Sequence, residues 1–341
     1  MCVLALVVPQ RPTLAANALL LALAGVVSAC GGDDDLAVDA GLTDAALRDG
    51  GVPTLDPSLF DCTSREVRER VLVPRASTVP LACALDPMCR IPQIAGHRGA
   101  GGQLGQIAPE DTLAAYRAGI ALGIEYLETD PRPTSDGIIV NMHDTDVART
   151  TDGTGEVLAL TFAEVRALHI ETTLAGDYRC ERVPTLREVL EVARGRAVVL
   201  VDANKTDRVD LLVQSILDAD AIDSAIFDTS SVDKIDAALA IEPRLHIMIR
   251  PAAAEITAQL DHFAPRIPVL VELVLGDVDV GAPIIHARGT RVFSDVFGAD
   301  VLFGVRNNTT GYESALDRGL DVLQCDRPEA ALLVLRARGL R

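Results

Sequence analysis

From about Pro92 onward the chain alternates short apolar runs with longer segments of helical period, and this alternation limits the fold more than any other feature. Nine runs read as strands: 94–97, 126–130, 138–143, 197–202, 225–229, 245–249, 269–275, 291–296 and 322–326. Helical stretches separate most of them, such as 110–123, which carries Leu113, Tyr116, Ile120 and Leu122 along one side. Strands that alternate with helices form a parallel sheet covered by those helices. The expected class is α/β, and the expected architecture is a (β/α)8 TIM barrel, whose functional side chains gather at the C-terminal ends of the strands. His97, Asp130, His143 and Asp202 end the first four runs, which fits that pattern. Nine runs for the eight places of a barrel leave one peripheral. The rival is an open doubly wound sheet, which predicts a glycine-rich nucleotide turn opening a helix after its first strand. Gly99 to Gly105 (GAGGQLG) does not meet that requirement, because the helix begins some residues later.

Upstream, Ala15 to Ala29 is apolar apart from Asn17. It is too short for a comfortable membrane span and suits the core of a signal peptide. Val27-Ser28-Ala29-Cys30 resembles the lipobox of bacterial lipoproteins, so Cys30 is the expected lipidated residue after cleavage. Gly31 to Phe60 holds seven Asp, one Arg and no Lys or Glu, without a sustained apolar period, and reads as a flexible tether. The expected organisation is a leader over 1–30, an acidic linker over 31–60 and one domain over 61–341. The expected location is that of an exported bacterial lipoprotein, periplasmic or at the cell surface, held to the membrane by its lipid. Export permits disulfides. Cys62, Cys83, Cys89, Cys180 and Cys325 remain after Cys2 and Cys30, so at most two bridges form and one thiol is left over. Pairing among Cys62, Cys83, Cys89 and Cys180 is compatible with the sequence, which does not fix the connectivity.

The formal charge is −18, aromatic residues make up 3% of the chain, and Trp is absent. Such a surface repels phosphate backbones and lacks stacking platforms, which excludes nucleic acid as a general partner.

Five clusters carry chemistry. Gly96-His97-Arg98-Gly99 places an acid/base imidazole beside a guanidinium fork suited to phosphate oxygens. Pro109-Glu110-Asp111-Thr112 reads as a helix start, with Asp111 or Thr112 as cap and Glu110 able to reach a barrel mouth. Glu128-Thr129-Asp130 puts two carboxylates on one face of a strand. Inside a barrel that arrangement calls for a hard cation, Ca²⁺ or Mg²⁺. His143-Asp144, followed by Arg149-Thr150-Thr151, offers a second imidazole with an acid to orient it. Asp202-Ala203-Asn204-Lys205 offers a third metal ligand in Asp202 and a phosphate contact in Lys205. His169, His246, His262 and His286 lack acidic partners at metal-like spacing and read as ordinary packed or solvated residues. Asp295 ends a strand and has no role assigned by its neighbours.

Taken in order, His97-Arg98-Gly99, Pro109-Glu110-Asp111-Thr112, Glu128-Thr129-Asp130, His143-Asp144 and Arg149-Thr150-Thr151 resemble the motifs of the glycerophosphodiester phosphodiesterase family. Val183-Pro184-Thr185-Leu186 and Cys325-Asp326-Arg327-Pro328 extend the resemblance, which spans about residues 93–330. It implies a (β/α)8 barrel, a divalent cation on Glu128 and Asp130, phosphate binding by Arg98, and His97 and His143 as the acid/base pair. Three departures stand out. Asp111 replaces the family's Asn, the stretch from Gly99 to Pro109 is longer, and Asp202 lies three residues before Lys205 where the family has Glu-x-Lys. The implied reaction is metal-dependent hydrolysis of a small or lipid-derived phosphodiester to an alcohol and glycerol phosphate. In it His97 takes a proton from the attacking oxygen and His143 protonates the leaving alcohol, although either histidine can fill either role. Two other readings stand beside this one: head-group cleavage similar to that of sphingomyelinase D, and a non-catalytic surface binding lipoprotein.

Overall fold

The computed structural model describes residues 55–341; the leader, Cys30 and the tether before Leu55 lie outside the described residues. Its strands are β1 (Gln93–Gly96), β2 (Tyr126–Thr129), β3 (Pro131–Pro133), β4 (Ile139–Asn141), β5 (Val198–Asp202), β6 (Ala225–Thr229), β7 (His246–Ile249), β8 (Leu270–Glu272), β9 (Arg291–Asp295) and β10 (Val322–Cys325). Eight of them close into a barrel in the order β1-β10-β9-β8-β7-β6-β5-β2, and every pair in it is parallel. The α/β class and the (β/α)8 barrel are thereby established, and the open doubly wound sheet is excluded.

The surplus strand is the run at 138–143. Residues Tyr126 to Thr129 of β2 pair directly with Val198 to Val201 of β5, so no strand intervenes between them. β3 and β4 instead form a separate antiparallel pair. Pro131 and Pro133 supply no ladder donors, which confines β3 to such an excursion. His143 therefore does not end a barrel strand. It follows β4 at the base of a hairpin, where the Met142 amide donates to Asp130 O at 3.0 Å, and Asp202 ends the third barrel strand instead of the fourth.

Period-two alternation sorts each barrel strand into an outer and an inner face. Leu127, Val199, Val201, Phe227, Ile247, Val271 and Leu323 pack outward in one cluster with the helices. Ala95, Tyr126, Val198, Leu200, Ile226, Met248, Leu270, Phe293 and Val322 fill the interior. Two residues further along each strand the inner face turns polar: His97, Glu128, Asp202, Asp228, Arg250, Glu272, Asp295 and Gln324. The apolar plug thus ends where a charged layer begins, at the C-terminal mouth.

The opposite end is closed by the short helix Ala82–Leu85. Arg291, fully buried, donates there to Ala84 O (2.8 Å), to the Tyr126 hydroxyl (2.5 Å) and to Gln93 Oε1. The Tyr126 hydroxyl in turn donates to Ala84 O at 2.6 Å.

The expected tether boundary at residue 60 moves toward the N-terminus. Pro57–Leu59 form a 3-10 turn capped by Asp56, and Phe60 is 1% exposed against Ala114 and Tyr178. Among the described residues two disulfides form, Cys62–Cys180 and Cys83–Cys89, with Cα separations of 5.7 and 5.5 Å. Cys325 is the leftover thiol; it is buried, and burial pushes its pKa well up, which makes it unreactive.

Candidate active site

The site grows out of four loops at the mouth. β1 runs into a tight turn at Gly96, where a Cβ would collide with Gly99 O. The turn sends the Arg98 amide back onto Glu128 Oε2 at 2.9 Å. Arg98 itself has φ +54°, and its side chain reaches Glu110 Oε1 at 2.8 Å and Asp130 Oδ2 at 3.4 Å. Thr112 caps the helix Leu113–Leu122 by accepting from the Ala115 amide at 3.2 Å. Asp111 is not the cap. It sits buried at φ +57° and accepts from the Tyr116 hydroxyl at 3.0 Å.

Glu128, Asp130 and Asp202 are all buried, and one oxygen from each lies within 4.8 Å of the others. Burial, then the charges of Asp130, Asp202 and Asp111, hold the Glu128 carboxyl far above the usual range. Lys205 Nζ lies 3.2 Å from Asp130 Oδ1, while Asp130 Oδ2 has no hydrogen bond. Asp202 is fixed by the Asn204 amide and side chain, both at 2.7 Å. Three carboxylates converge, and one of their oxygens has no hydrogen bond, which is the donor set of a hard divalent cation. The residues present therefore fit a metal.

The two histidines are fixed in the same way. His97 Nδ1 lies 2.7 Å from Asp326 Oδ1, and His97 Nε2 lies 3.9 Å from Glu128 Oε2. Asp326 also accepts from the Gly102 and Leu104 amides, at 3.2 and 2.8 Å. Burial acts to raise its pKa, but His97 and the amides outweigh it and lower the value. His143 Nδ1 lies 2.8 Å from Asp144 Oδ1. Asp144 is held at about 2 by Arg149 and His143 against the effect of burial. Arg149 then bridges Asp144 (2.6 Å) and Glu110 (2.6 Å), so Glu110 does reach the mouth as a joint between Arg98 and Arg149. In both imidazoles a carboxylate takes up Nδ1 and leaves Nε2 for proton transfer.

Of the seven residues expected from sequence at this centre, Glu128, Asp130 and Asp202 converge, His97 contacts Glu128, and Arg98 and Lys205 contact Asp130, while His143 feels the charge of Asp130 without a direct contact; Cys30 lies outside the described residues. Asp326 escaped assignment. It stands 229 residues from His97, and its only signal was its place in Cys325-Asp326-Arg327-Pro328 at the end of a strand. A charged wall beside the triad was also missed. Arg250 at the end of β7 pairs with Asp228 and, at 2.8 Å, with Glu272, and approaches Asp202 to 3.7 Å. Asp295 accepts from Gln324 Nε2 at 3.3 Å. The remaining histidines are as bland as expected, although three have single carboxylate partners: His169 with Asp152, His262 with Asp236 and His286 with Asp321.

Comparison with known proteins places this geometry. Residues 97–256 match the model of the glycerophosphoryl diester phosphodiesterase family. Human glycerophosphodiester phosphodiesterase 1 is 46% identical over 108 residues, which cover 31% of this chain and 31% of the relative. A glycerophosphodiester phosphodiesterase of Caldanaerobacter subterraneus subsp. tengcongensis is 39% identical over 25% of this chain and 35% of its own. The chain thus spans about a third of the length of these curated relatives. Among solved structures, a glycerophosphoryl diester phosphodiesterase from Parabacteroides distasonis superposes with a TM-score of 0.65 at 21% identity, covering 77% of this chain and 93% of that one. An Oleispira antarctica phosphodiesterase in complex with sn-glycerol-3-phosphate gives 0.61 at 24% identity, over 72% and 97%. Residues 97–256, which carry His97, Glu128, Asp130, His143 and Asp202, are thus the part of this chain that matches the glycerophosphoryl diester phosphodiesterase family.

Proposed function

We propose that the protein hydrolyses glycerophosphodiesters to an alcohol and glycerol phosphate, with a divalent cation, Ca²⁺ or Mg²⁺, on Glu128, Asp130 and Asp202. One observation carries the reading: two histidines, each with Nδ1 pinned by a carboxylate, accompany a buried carboxylate triad whose charge acts on both. When bound, the cation supplies charge for the phosphate oxygens in the transition state. Arg98 and Lys205, each already close to Asp130, turn their free donors to the same oxygens. One imidazole Nε2 removes the proton of the attacking oxygen, which is water or a neighbouring hydroxyl of the substrate. The other protonates the departing alcohol at its Nε2. Asp326 and Asp144 hold the rings in register and stabilise each imidazolium as it forms. Two histidines with carboxylate partners intact argue against a non-catalytic binding role.

The same proposal extends to location: an exported lipoprotein anchored through Cys30, its domain held outside the reducing cytoplasm. The two disulfides support an oxidising compartment. No described helix is long and apolar enough to cross a membrane.

The test is release of glycerol phosphate from a glycerophosphodiester by the disulfide-intact protein, with Ca²⁺, with Mg²⁺ and with a chelator. Metal-dependent turnover that disappears in His143→Ala and Glu128→Ala supports the reading. A folded protein without turnover in either metal refutes it.

A further inference from the structure

The two imidazoles are pinned alike through their side chains and unequally through their main chains. The His97 amide donates to Cys325 O at 3.1 Å, and the His97 carbonyl accepts from the Gly101 amide at 3.1 Å, so the barrel wall holds that residue directly. His143 lies in a bend after β4, and among the described residues no backbone group bonds its amide or its carbonyl. The last rung of the hairpin comes one residue earlier, where the Met142 amide donates to Asp130 O at 3.0 Å. Beyond that rung the partner strand belongs to the barrel, where Thr129 pairs with Val201. The ladder therefore stops short of the second imidazole.

Arg132 provides what the ladder does not. Its Nε donates to Met142 O at 3.0 Å and to His143 O at 3.1 Å, and its Nη2 donates to His143 O at 2.6 Å. Its Nη1 reaches Lys205 O at 3.4 Å. One guanidinium thus spans the bend that carries His143 and the turn Ala203–Lys205. The fork is planar and fixes direction as well as distance, which a lysine ammonium does not. Arg132 stands between Pro131 and Pro133. A residue before proline is confined to extended backbone, so the fork is aimed from a stiff base. Asp130, Asp144 and Asp202 attract the guanidinium through charge alone. Arg132 also lines, with Lys205, a cavity of about 380 Å³, which makes a direct phosphate contact the rival role. Against that role, all three nitrogens are turned onto main-chain carbonyls.

We propose that Arg132 is a positioning residue for His143: its guanidinium replaces the main-chain support that the barrel gives His97 and sets the second imidazole against the Lys205 turn. This rests on the phosphodiesterase reading, in which His143 transfers a proton.

The experiment uses the full-length, disulfide-intact protein with the methyl diester of glycerol 3-phosphate and the cation that supports wild-type turnover. Arg132→Met and Arg132→Lys are compared with the wild type, and Arg132→Met is also combined with His143→Ala. Expected in folded Arg132→Met is a loss of about 10–100-fold in kcat with KM unchanged, the effect of a proton-transfer group displaced by a fraction of an ångström to about 1 Å. Arg132→Lys returns one donor to the carbonyl and recovers part of the loss. On the His143→Ala background Arg132→Met costs less than about twofold, because the group it positions is gone. Hydrogen exchange at residues 143–145 rises in Arg132→Met and stays unchanged at His97. A raised KM with kcat unchanged makes Arg132 a phosphate contact and overturns the proposal. So does a kcat loss that persists in full on His143→Ala, a kcat equal to that of the wild type, or exchange at 143–145 that does not move. Should Arg132→Met fail to fold, Arg132→Lys is read by the same criteria; should His143→Ala be too slow to measure, the exchange and the split between kcat and KM decide. A wild type that does not cleave the diester removes the phosphodiesterase reading and this role together, whereas wild-type turnover with any of the contrary outcomes removes the role of Arg132 alone.

Discussion

The two ends of the barrel interior both bury charge, and they treat it differently. At the N-terminal end a single cation, Arg291, is surrounded by neutral acceptors of its own chain: a carbonyl, a phenol and an amide oxygen. At the C-terminal end five buried or nearly buried acids, Glu128, Asp130, Asp202, Asp228 and Glu272, meet three cations, Arg98, Lys205 and Arg250. The first end holds its one cation with acceptors of the chain itself. The second is left with spare negative charge, raised carboxyl pKa values and an Asp130 oxygen without a hydrogen bond. Burying carboxylates without matching charge destabilises a fold, so an arrangement of this kind belongs to binding, whereas the Arg291 arrangement belongs to stability.

Substitutions should separate the two ends. The largest effect is expected from Glu128→Gln at the mouth. Turnover should drop by about 10³-fold or more, the several kcal/mol that a cation contributes to a phosphoryl transition state. In chelator the variant's melting temperature should rise, because one buried charge is gone; a fall there would contradict the charge imbalance. His143→Ala should cost about 10²–10⁴-fold in kcat, the usual range for a general acid or base, with cation binding retained. At the other end, Arg291→Met should lower stability by about 1–3 kcal/mol, because acceptors lose their donor in a dry site, and leave kcat of the folded enzyme unchanged. A loss of kcat in the folded variant would show that the ends are coupled.

The sequence read the mouth better than the path of the chain around it. His97, Glu128, Asp130 and Asp202 were legible because a charged residue at the end of an apolar run is costly without a purpose. The hairpin β3–β4 was not, since 138–143 has the composition of a barrel strand and only the prolines at 131 and 133 mark the excursion. Asp326 and Arg250 were missed for a different reason: their partners are far away in the chain, and no local spacing connects Asp326 with His97 or Arg250 with Asp228. Asp111 was read as a change that adds negative charge. In the structure burial, then Asp130 and Glu110, push its carboxyl far up, which favours the neutral form that resembles the amide it replaces.

Two smaller effects sharpen the comparison through pH. Burial raises Asp228 to about 6 and Glu272 to about 8, with Arg250 opposing in each case. Groups whose folded pKa lies above the unfolded value contribute stability that is complete below the unfolded pKa and is lost as pH rises through the folded one. Thermal melts in chelator should therefore fall between about pH 5 and pH 8.5, and a divalent cation should flatten that decline. A melt that rises over this window would refute the sign. The smallest change is expected from Asp111→Asn, which keeps the left-handed backbone and removes the ionisable group. Its melting temperature should exceed that of the wild type by more at pH 8 than at pH 5.

The central claim is that the spare carboxylates of the mouth exist to hold a divalent cation. Calorimetric titration of Ca²⁺ and of Mg²⁺ into the metal-stripped, disulfide-intact protein tests it most directly. The account predicts one site per chain, weakened as pH falls and Glu128 takes up a proton, abolished in Glu128→Gln and unaffected in Arg291→Met. Absence of binding by either ion to a folded wild type, or equal binding by Glu128→Gln, would contradict it.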